Sequence, residues 1–329
     1  MNLRKIIKPI IPAKLLMRLR KLDNNKIFLT AFPEILKLFN IFRENNNKRI
    51  FIISLPRSGS SWIGSMIGAA NNAVYLREPI TQPYMQKNSP CPSFFELDRC
   101  LDKQYYKYLY FEALNGIPKY QPNNITFYPH QWKITKINIK KIVIKEVNPL
   151  IIDYIISEFE PYIIYLIRHP VDVANSFYAK GWHGEQFKSR YTNSSLSMLK
   201  EKYNISFNDD FYCQSGSIQA ITQNIVMNVL KTYPYYTIVK YEDVCSDPFK
   251  VVNEVYNKLG LNFNNEIENI IMQKSFNDSD NPHLETNKRS SKNMIHKFRQ
   301  FNLNSECVTK LKECYFINNP YFYLDNKDW

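Results

Sequence analysis

The run from Arg49 to Gly68, RIFIISLPRSGSSWIGSMIG, constrains this chain more than any other stretch. Ile50 to Ile53 is apolar and largely β-branched, the composition of a buried strand. Pro56-Arg57-Ser58-Gly59-Ser60-Ser61 breaks that run, and Trp62, Ile63, Met66 and Ile67 then recur at helical spacing. A strand that turns tightly into a helix leaves the first-turn N–H groups without intrahelical acceptors. The positive end of the helix dipole falls in the same turn. Together these make a cradle for a phosphate- or sulfate-type anion. Glycine is scarce, with 8 in 329 residues, so Gly59 inside the turn is a position with a reason.

Further strands are expected at residues 74–77, 141–145, 162–167 and 236–240, alternating with helices. The helices are expected near 94–114, from Asn148-Pro149 to about 159, and over 171–178, 217–231, 248–259 and 293–315. This order predicts an α/β fold, a P-loop-like central parallel sheet flanked by helices on both faces. Ligands of such sheets bind at the carboxyl ends of the strands. Residues 1–47 read as an N-terminal helical appendage and 48–329 as the main domain. An insertion, 80–138, and a loop, 181–212, would shape a cleft; the loop is polar and aromatic without a clean period and reads as a mobile lid.

The turn lacks the G-x-x-x-x-G-K-[ST] pattern of nucleotide-hydrolysing loops, and Arg57 stands in it instead. A guanidinium there offers a forked cation to oxyanions. A second anion site follows from Tyr165-Leu-Ile-Arg168-His-Pro170-Val-Asp-Val-Ala-Asn-Ser176. A strong strand delivers Arg168 at its carboxyl end, and the next helix carries Ser176, so the two flank one anion.

The formal net charge of +13 suits an anionic ligand, nucleic acid or a membrane surface. No repeated basic–aromatic pattern supports nucleic acid. The six cysteines show neither CxxC pairs nor metal-ligand spacing, which predicts reduced thiols in a cytoplasmic protein and no metal. No segment reaches the roughly 18 apolar residues of a membrane span. Residues 1–22, basic and apolar, read either as an arm packed on the domain or as a segment in peripheral contact with a membrane.

These motifs together resemble the sulfotransferases that use 3′-phosphoadenosine 5′-phosphosulfate. PRSGSSW, residues 56–62, resembles their 5′-phosphosulfate loop, and the R-H-P…S segment ending at Ser176 resembles their 3′-phosphate motif. Tyr241-Glu242-Asp243 with Asp247-Pro248 and Leu259-Gly260 is similar to their YEDL–DP–LG segment. The resemblance covers roughly residues 48–320. It implies that Arg57, Ser58, Gly59, Ser60 and Ser61 hold the phosphosulfate, with Trp62 against the adenine. Arg168 and Ser176 would take the 3′-phosphate, with Arg289 and Lys292 closing over it. Tyr241-Glu242-Asp243 reads as a strand end and turn with a structural role.

The chemistry implied is in-line sulfuryl transfer to an acceptor hydroxyl, which needs a base and a cation at the bridging oxygen. Lys145 is followed by Glu146 and Val147, so the His two residues after a Lys that many cytosolic members use is absent. The Glu-Pro at Glu78-Pro79 resembles the carbohydrate-type members and makes Glu78 the preferred base. Glu146 and His183 are the other candidates, and Lys145 would help bind the transferring group. The acceptor expected by this resemblance is a saccharide or glycolipid. A non-catalytic protein binding adenosine 3′,5′-bisphosphate is the alternative from a different class.

Overall fold

The structure, a computed structural model, describes residues 49–81, 103–114, 127–128, 131, 141–207, 210–276 and 305–329. Five strands are described: β1 (Arg49–Ile53), β2 (Ala73–Arg77), β3 (Lys141–Glu146), β4 (Tyr162–Ile167) and β5 (Tyr236–Lys240). They form one parallel sheet in the order β2-β3-β1-β4-β5. All four expected strands after β1 are present within a residue of their expected bounds.

Period-two alternation splits each strand between two cores. Ile50, Ile52, Tyr75, Val143, Ile164 and Leu166 face one side. There they pack on α1 (Ser60–Ile67), the short helix Tyr241–Ser246, and two later helices, Pro248–Leu259 and Asn265–Ser275. Phe51, Ile53, Leu76, Ile144, Ile163 and Tyr165 face the other side. That side is covered by α2 (Lys103–Leu114), α3 (Ile152–Phe159) and a long helix, Phe211–Leu230. The helices on both faces leave the carboxyl edge of the sheet as the place where the loops gather.

Next along the chain come α4 (Pro170–Tyr178), α5 (Glu185–Lys188), α6 (Asn193–Tyr203) and α7 (Phe211–Leu230). Then α8 (Tyr241–Ser246), α9 (Pro248–Leu259), α10 (Asn265–Ser275) and α11 (Ser305–Ile317) complete the described helices. The start and stop of α9 follow the sequence closely. Asp247 Oδ1 accepts from Lys250 N at 2.9 Å, and Gly260 ends the helix at φ 60°.

Three expectations are corrected. Residues 181–212 are not a structureless lid. They contain α5 and α6, whose Phe187, Tyr191, Met198 and Leu199 bury against Leu55, Val173, Phe177 and Ile221. The packing partners come from distant segments, so no local period marks the helices. Helix α7 begins six residues before the expected 217, because Asp210 caps it through Tyr212 N and Cys213 N. Tyr241-Glu242-Asp243 is the first turn of α8 rather than a plain turn.

The expectation of reduced thiols is also overturned: Cys213 and Cys314 form a disulfide between α7 and α11, with Cα atoms 5.1 Å apart. A separation of 101 residues hides the pair from any spacing rule. The two helices cross tightly just beyond it, where a Cβ on Gly216 would stand 2.3 Å from the Leu311 carbonyl oxygen. Cys245 and Cys307 are free. Residues 1–47 and most of 80–138 lie outside the described residues, as do Arg289 and Lys292. No described helix is long and apolar enough to cross a membrane.

Candidate active site

The turn after β1 is built on two left-handed residues, Arg57 at φ 69° and Gly59 at φ 84°. Gly59 is the N-cap of α1 and has no side chain to close the helix end. Its carbonyl accepts from Trp62 N at 3.0 Å and Ile63 N at 3.1 Å. Among the described residues no acceptor takes the N–H groups of Ser60 and Ser61, which are left facing the turn. Glycine is required twice over at 59. A Cβ there would lie 2.3 Å from Cδ2 and Cε2 of the Tyr241 ring, besides occupying a backbone region that L side chains avoid.

The two expected anion sites touch. Arg57 Nε donates to Ser176 Oγ at 2.8 Å, and Arg168 Nη1 donates to the Arg57 carbonyl at 3.1 Å. Arg168 is 9% exposed. Its Nη2 pairs with Asp172 Oδ2 at 3.3 Å, and its guanidinium lies 4.3 Å above the centre of the Tyr241 ring. Among the described residues Arg168 Nε has no partner, though it is fully enclosed.

Across the sheet, Glu78 follows β2 at φ 51°, and its N–H donates to the Lys145 carbonyl at 2.7 Å. This returns the Glu78 carboxylate over the end of β3, where it pairs with Lys145 Nζ. The Lys145 ammonium also lies 3.4 Å from Ser61 Oγ, so the pair abuts the first anion turn. Lys145 is 1% exposed against 17% for Glu78. Burial lowers the Lys145 pKa from its ordinary value, with Glu78 opposing that shift. A buried ammonium in this position is neutralised by one carboxylate whose outer edge still meets solvent.

Glu146, the second candidate, is committed to the turn after β2. It is fully buried and both oxygens are occupied: Oε1 accepts from Ile80 N at 2.7 Å and Thr81 N at 3.2 Å, and Oε2 accepts from Thr81 Oγ1. Burial raises its pKa to about 7 against these hydrogen bonds. Glu146 therefore holds the turn that presents Glu78. His183 is exposed and stacks on Tyr178, ring centres 4.5 Å apart, on the outer side of α4. Its described ring contacts are with Tyr178 and Phe211, not with Glu78 or Lys145.

Trp62, which the resemblance sets against the adenine, is held in the core by its neighbours. It is 1% exposed in the core, its indole N–H donates to the Lys274 carbonyl at 3.1 Å, and its ring meets Tyr241 edge-on at 5.6 Å. These contacts anchor α1.

Tyr241 is the residue whose reach the sequence concealed. Its ring contacts the place of Gly59, the Arg168 guanidinium and Trp62 at once. Glu242 next to it accepts from His169 N at 2.8 Å and from Tyr323 Oη at 2.7 Å, which ties the second anion turn to the segment after α11. The structural reading of this motif holds for Glu242. For Tyr241 it is incomplete, and the only sequence signal was its position at the end of a strand.

Residues 47–319 match a family model described as the sulfotransferase domain. The comparison with curated proteins returns no match. Among solved structures, a mouse sulfotransferase complexed with PAP is 14% identical, with 91% of this chain and 93% of that chain covered at a TM-score of 0.46. The sulfotransferase domain of a Synechococcus olefin synthase is 18% identical over 83% of this chain and 95% of that one, TM-score 0.45. The sulfotransferase domain from the curacin biosynthetic pathway is 21% identical over 66% and 75%, TM-score 0.39.

Proposed function

The chain belongs to the sulfotransferase domain family, and from that premise we propose that it transfers a sulfuryl group from 3′-phosphoadenosine 5′-phosphosulfate to a sugar hydroxyl, with Glu78 as the base. The observation that carries this reading is the joined pair of anion turns, with the Glu78–Lys145 pair set against the first of them.

The residues present fit such a donor. The open N–H groups of Ser60 and Ser61, with the Arg57 guanidinium, suit a phosphosulfate. The enclosed, partnerless Nε of Arg168 suits a second phosphate. When bound, the donor supplies the sulfuryl group and a phosphate that departs with the bridging oxygen. Arg57 and Lys145 then supply positive charge where negative charge grows. The Glu78 carboxylate takes the proton of the attacking hydroxyl at an oxygen, and Lys145 fixes where that carboxylate points.

The sugar acceptor rests on Glu78-Pro79 and on Val147 standing where a histidine would otherwise follow Lys145. The Cys213–Cys314 bond favours an oxidising compartment over the cytoplasm.

The test is incubation with radiosulfur-labelled donor and separate panels of oligosaccharides, glycolipids and phenols. We expect label in the saccharide or glycolipid arm. Glu78→Gln should lower turnover about 10²- to 10⁴-fold while leaving the affinity for adenosine 3′,5′-bisphosphate within about twofold. Tight bisphosphate binding with no labelled acceptor would remove the catalytic reading. Label in the phenol arm alone would remove the sugar.

A further inference from the structure

Helix α4 presents Asp172, Asn175 and Ser176 at i, i+3 and i+4, the spacing that places side chains on neighbouring tracks of one helix face. The direction of that face is known from two of them. Asp172 meets Arg168, and Ser176 meets Arg57. Asn175 lies between them in the chain, three residues after Asp172 and one before Ser176.

The Asn175 side chain has no described hydrogen bond, and its Nδ2 is buried with no acceptor. Arg168 Nε is in the same condition. Buried donors are almost always paired in native folds, so two enclosed donors without acceptors, one just after β4 and one on α4, call for an explanation. What both lack is an acceptor. Asp172 is already paired with Arg168, and Ser176 Oγ already accepts from Arg57. The group that would satisfy them is therefore an oxyanion from outside the chain, drawn to a turn that already holds two guanidinium groups.

We propose that Asn175 is a ligand of the nucleotide's 3′-phosphate, donating from Nδ2 alongside Arg168 Nε, and that it sets how strongly the protein prefers a 3′-phosphorylated nucleotide to one without that group. The assignment rests on the proposed donor. It adds a neutral amide to a site otherwise read as Arg168 and Ser176. An amide contributes direction without charge, so its removal should change discrimination between nucleotides more than general attraction for anions.

The test is calorimetric titration of the full chain with adenosine 3′,5′-bisphosphate, adenosine 5′-monophosphate and inorganic phosphate. Asn175→Ala should weaken the bisphosphate roughly tenfold or more, the loss typical of a hydrogen bond to a charged group. The monophosphate should stay within about twofold of its wild-type affinity. Asn175→Asp should lose more for the bisphosphate, because a carboxylate would then face the phosphate. If the Ala variant unfolds, Asn175→Leu fills a similar volume without a donor and is read in the same way.

Equal losses for bisphosphate and monophosphate would make Asn175 a packing residue and overturn the assignment, as would unchanged affinity for both. Inorganic phosphate bound as tightly as the bisphosphate would show a free-anion site instead. Failure of the wild-type chain to bind the bisphosphate would sink the donor reading itself. A wild type that prefers the bisphosphate, with an Asn175→Ala variant that keeps the preference, would sink only the role of Asn175.

Discussion

Two strand–turn–helix units on adjacent strands face each other across this site, and they are built on opposite plans. The turn from β1 to α1 works through its backbone. Gly59 caps α1 with no side chain, and the N–H groups of Ser60 and Ser61 stay open. The turn from β4 to α4 has closed its helix end. Pro170 has no N–H, and His169 Nδ1 accepts from Val171 N at 3.3 Å. An anion at the second turn would therefore be held by side chains, and among the described residues Arg168, Asn175 and Ser176 are those we assign to it. A helix N-terminus is an anion site only while nothing caps it. The same supersecondary unit yields a backbone site or a side-chain site according to the residue before its helix.

The contrast can be broken most forcefully at Arg168. Arg168→Ala leaves Asp172, 4% exposed, without its cation, which should cost about 3–5 kcal/mol in denaturant unfolding. It should also abolish the preference for the 3′,5′-bisphosphate over the 5′-monophosphate. The double variant R168A/D172A sharpens the point: stability should recover in part while the preference stays lost. Full recovery of discrimination would mean that the second turn does not bind through this side chain.

Gly59→Ala attacks the other plan. A left-handed alanine costs about 1–3 kcal/mol by conformation alone, and the Tyr241 ring must also move. Affinity for bisphosphate and monophosphate should fall together, by titration calorimetry, because the backbone site serves what both share. Loss confined to the bisphosphate would reverse the assignment of the two turns.

Removing the disulfide probes what stands behind the second turn only. Helix α11 reaches α4 through Leu311 against Val171 and Ala174. For a loop of 101 residues, C213S/C314S should cost about 2–4 kcal/mol, seen as a lower denaturation midpoint. Reductant should destabilise the native chain and leave the double variant unmoved. The 3′-phosphate preference should weaken more than the affinity for the monophosphate.

The smallest effect expected is on pH dependence at the Glu78 turn. Burial pushes the Glu146 carboxyl up to about 7 from its ordinary 4.5, so the folded state binds the proton more readily than the unfolded chain. Its contribution to stability is therefore greatest below about 4.5 and is lost as the pH rises through about 7. Glu146→Gln keeps an acceptor for the Ile80 and Thr81 N–H groups and removes the titration. The stability profile from pH 4.5 to 7 should flatten, measured by denaturant unfolding. An unchanged slope would place the titrating group elsewhere.

What was legible in the sequence was what neighbouring residues decide together. Ile50 to Ile53 announce a strand by composition, Asp247-Pro248 and Gly260 bound α9 by capping chemistry, and Gly59 marks the turn by its rarity. What was hidden depends on residues far apart. Phe187 and Leu199 look like scattered apolar residues in a polar stretch until Val173 and Ile221 pack on them. The Cys213–Cys314 pair needs α7 and α11 to cross. Trp62 looked like a surface for a base, and only the tertiary fold shows its indole N–H committed to Lys274. Glu78 stood out because of the proline after it, whereas its partnership with Lys145 comes from the register of β2 on β3, which sets Arg77 beside Lys145.

The Tyr241 ring acts as a shim. It fills the place a Gly59 side chain would take and carries the Arg168 guanidinium on its face, so it lies between the two turns. The ring thus braces both turns beside the direct Arg57–Ser176 and Arg168–Arg57 bonds that join them. A ring at such a contact has no length to vary, so two loops of unlike construction behave as one jaw of fixed gauge.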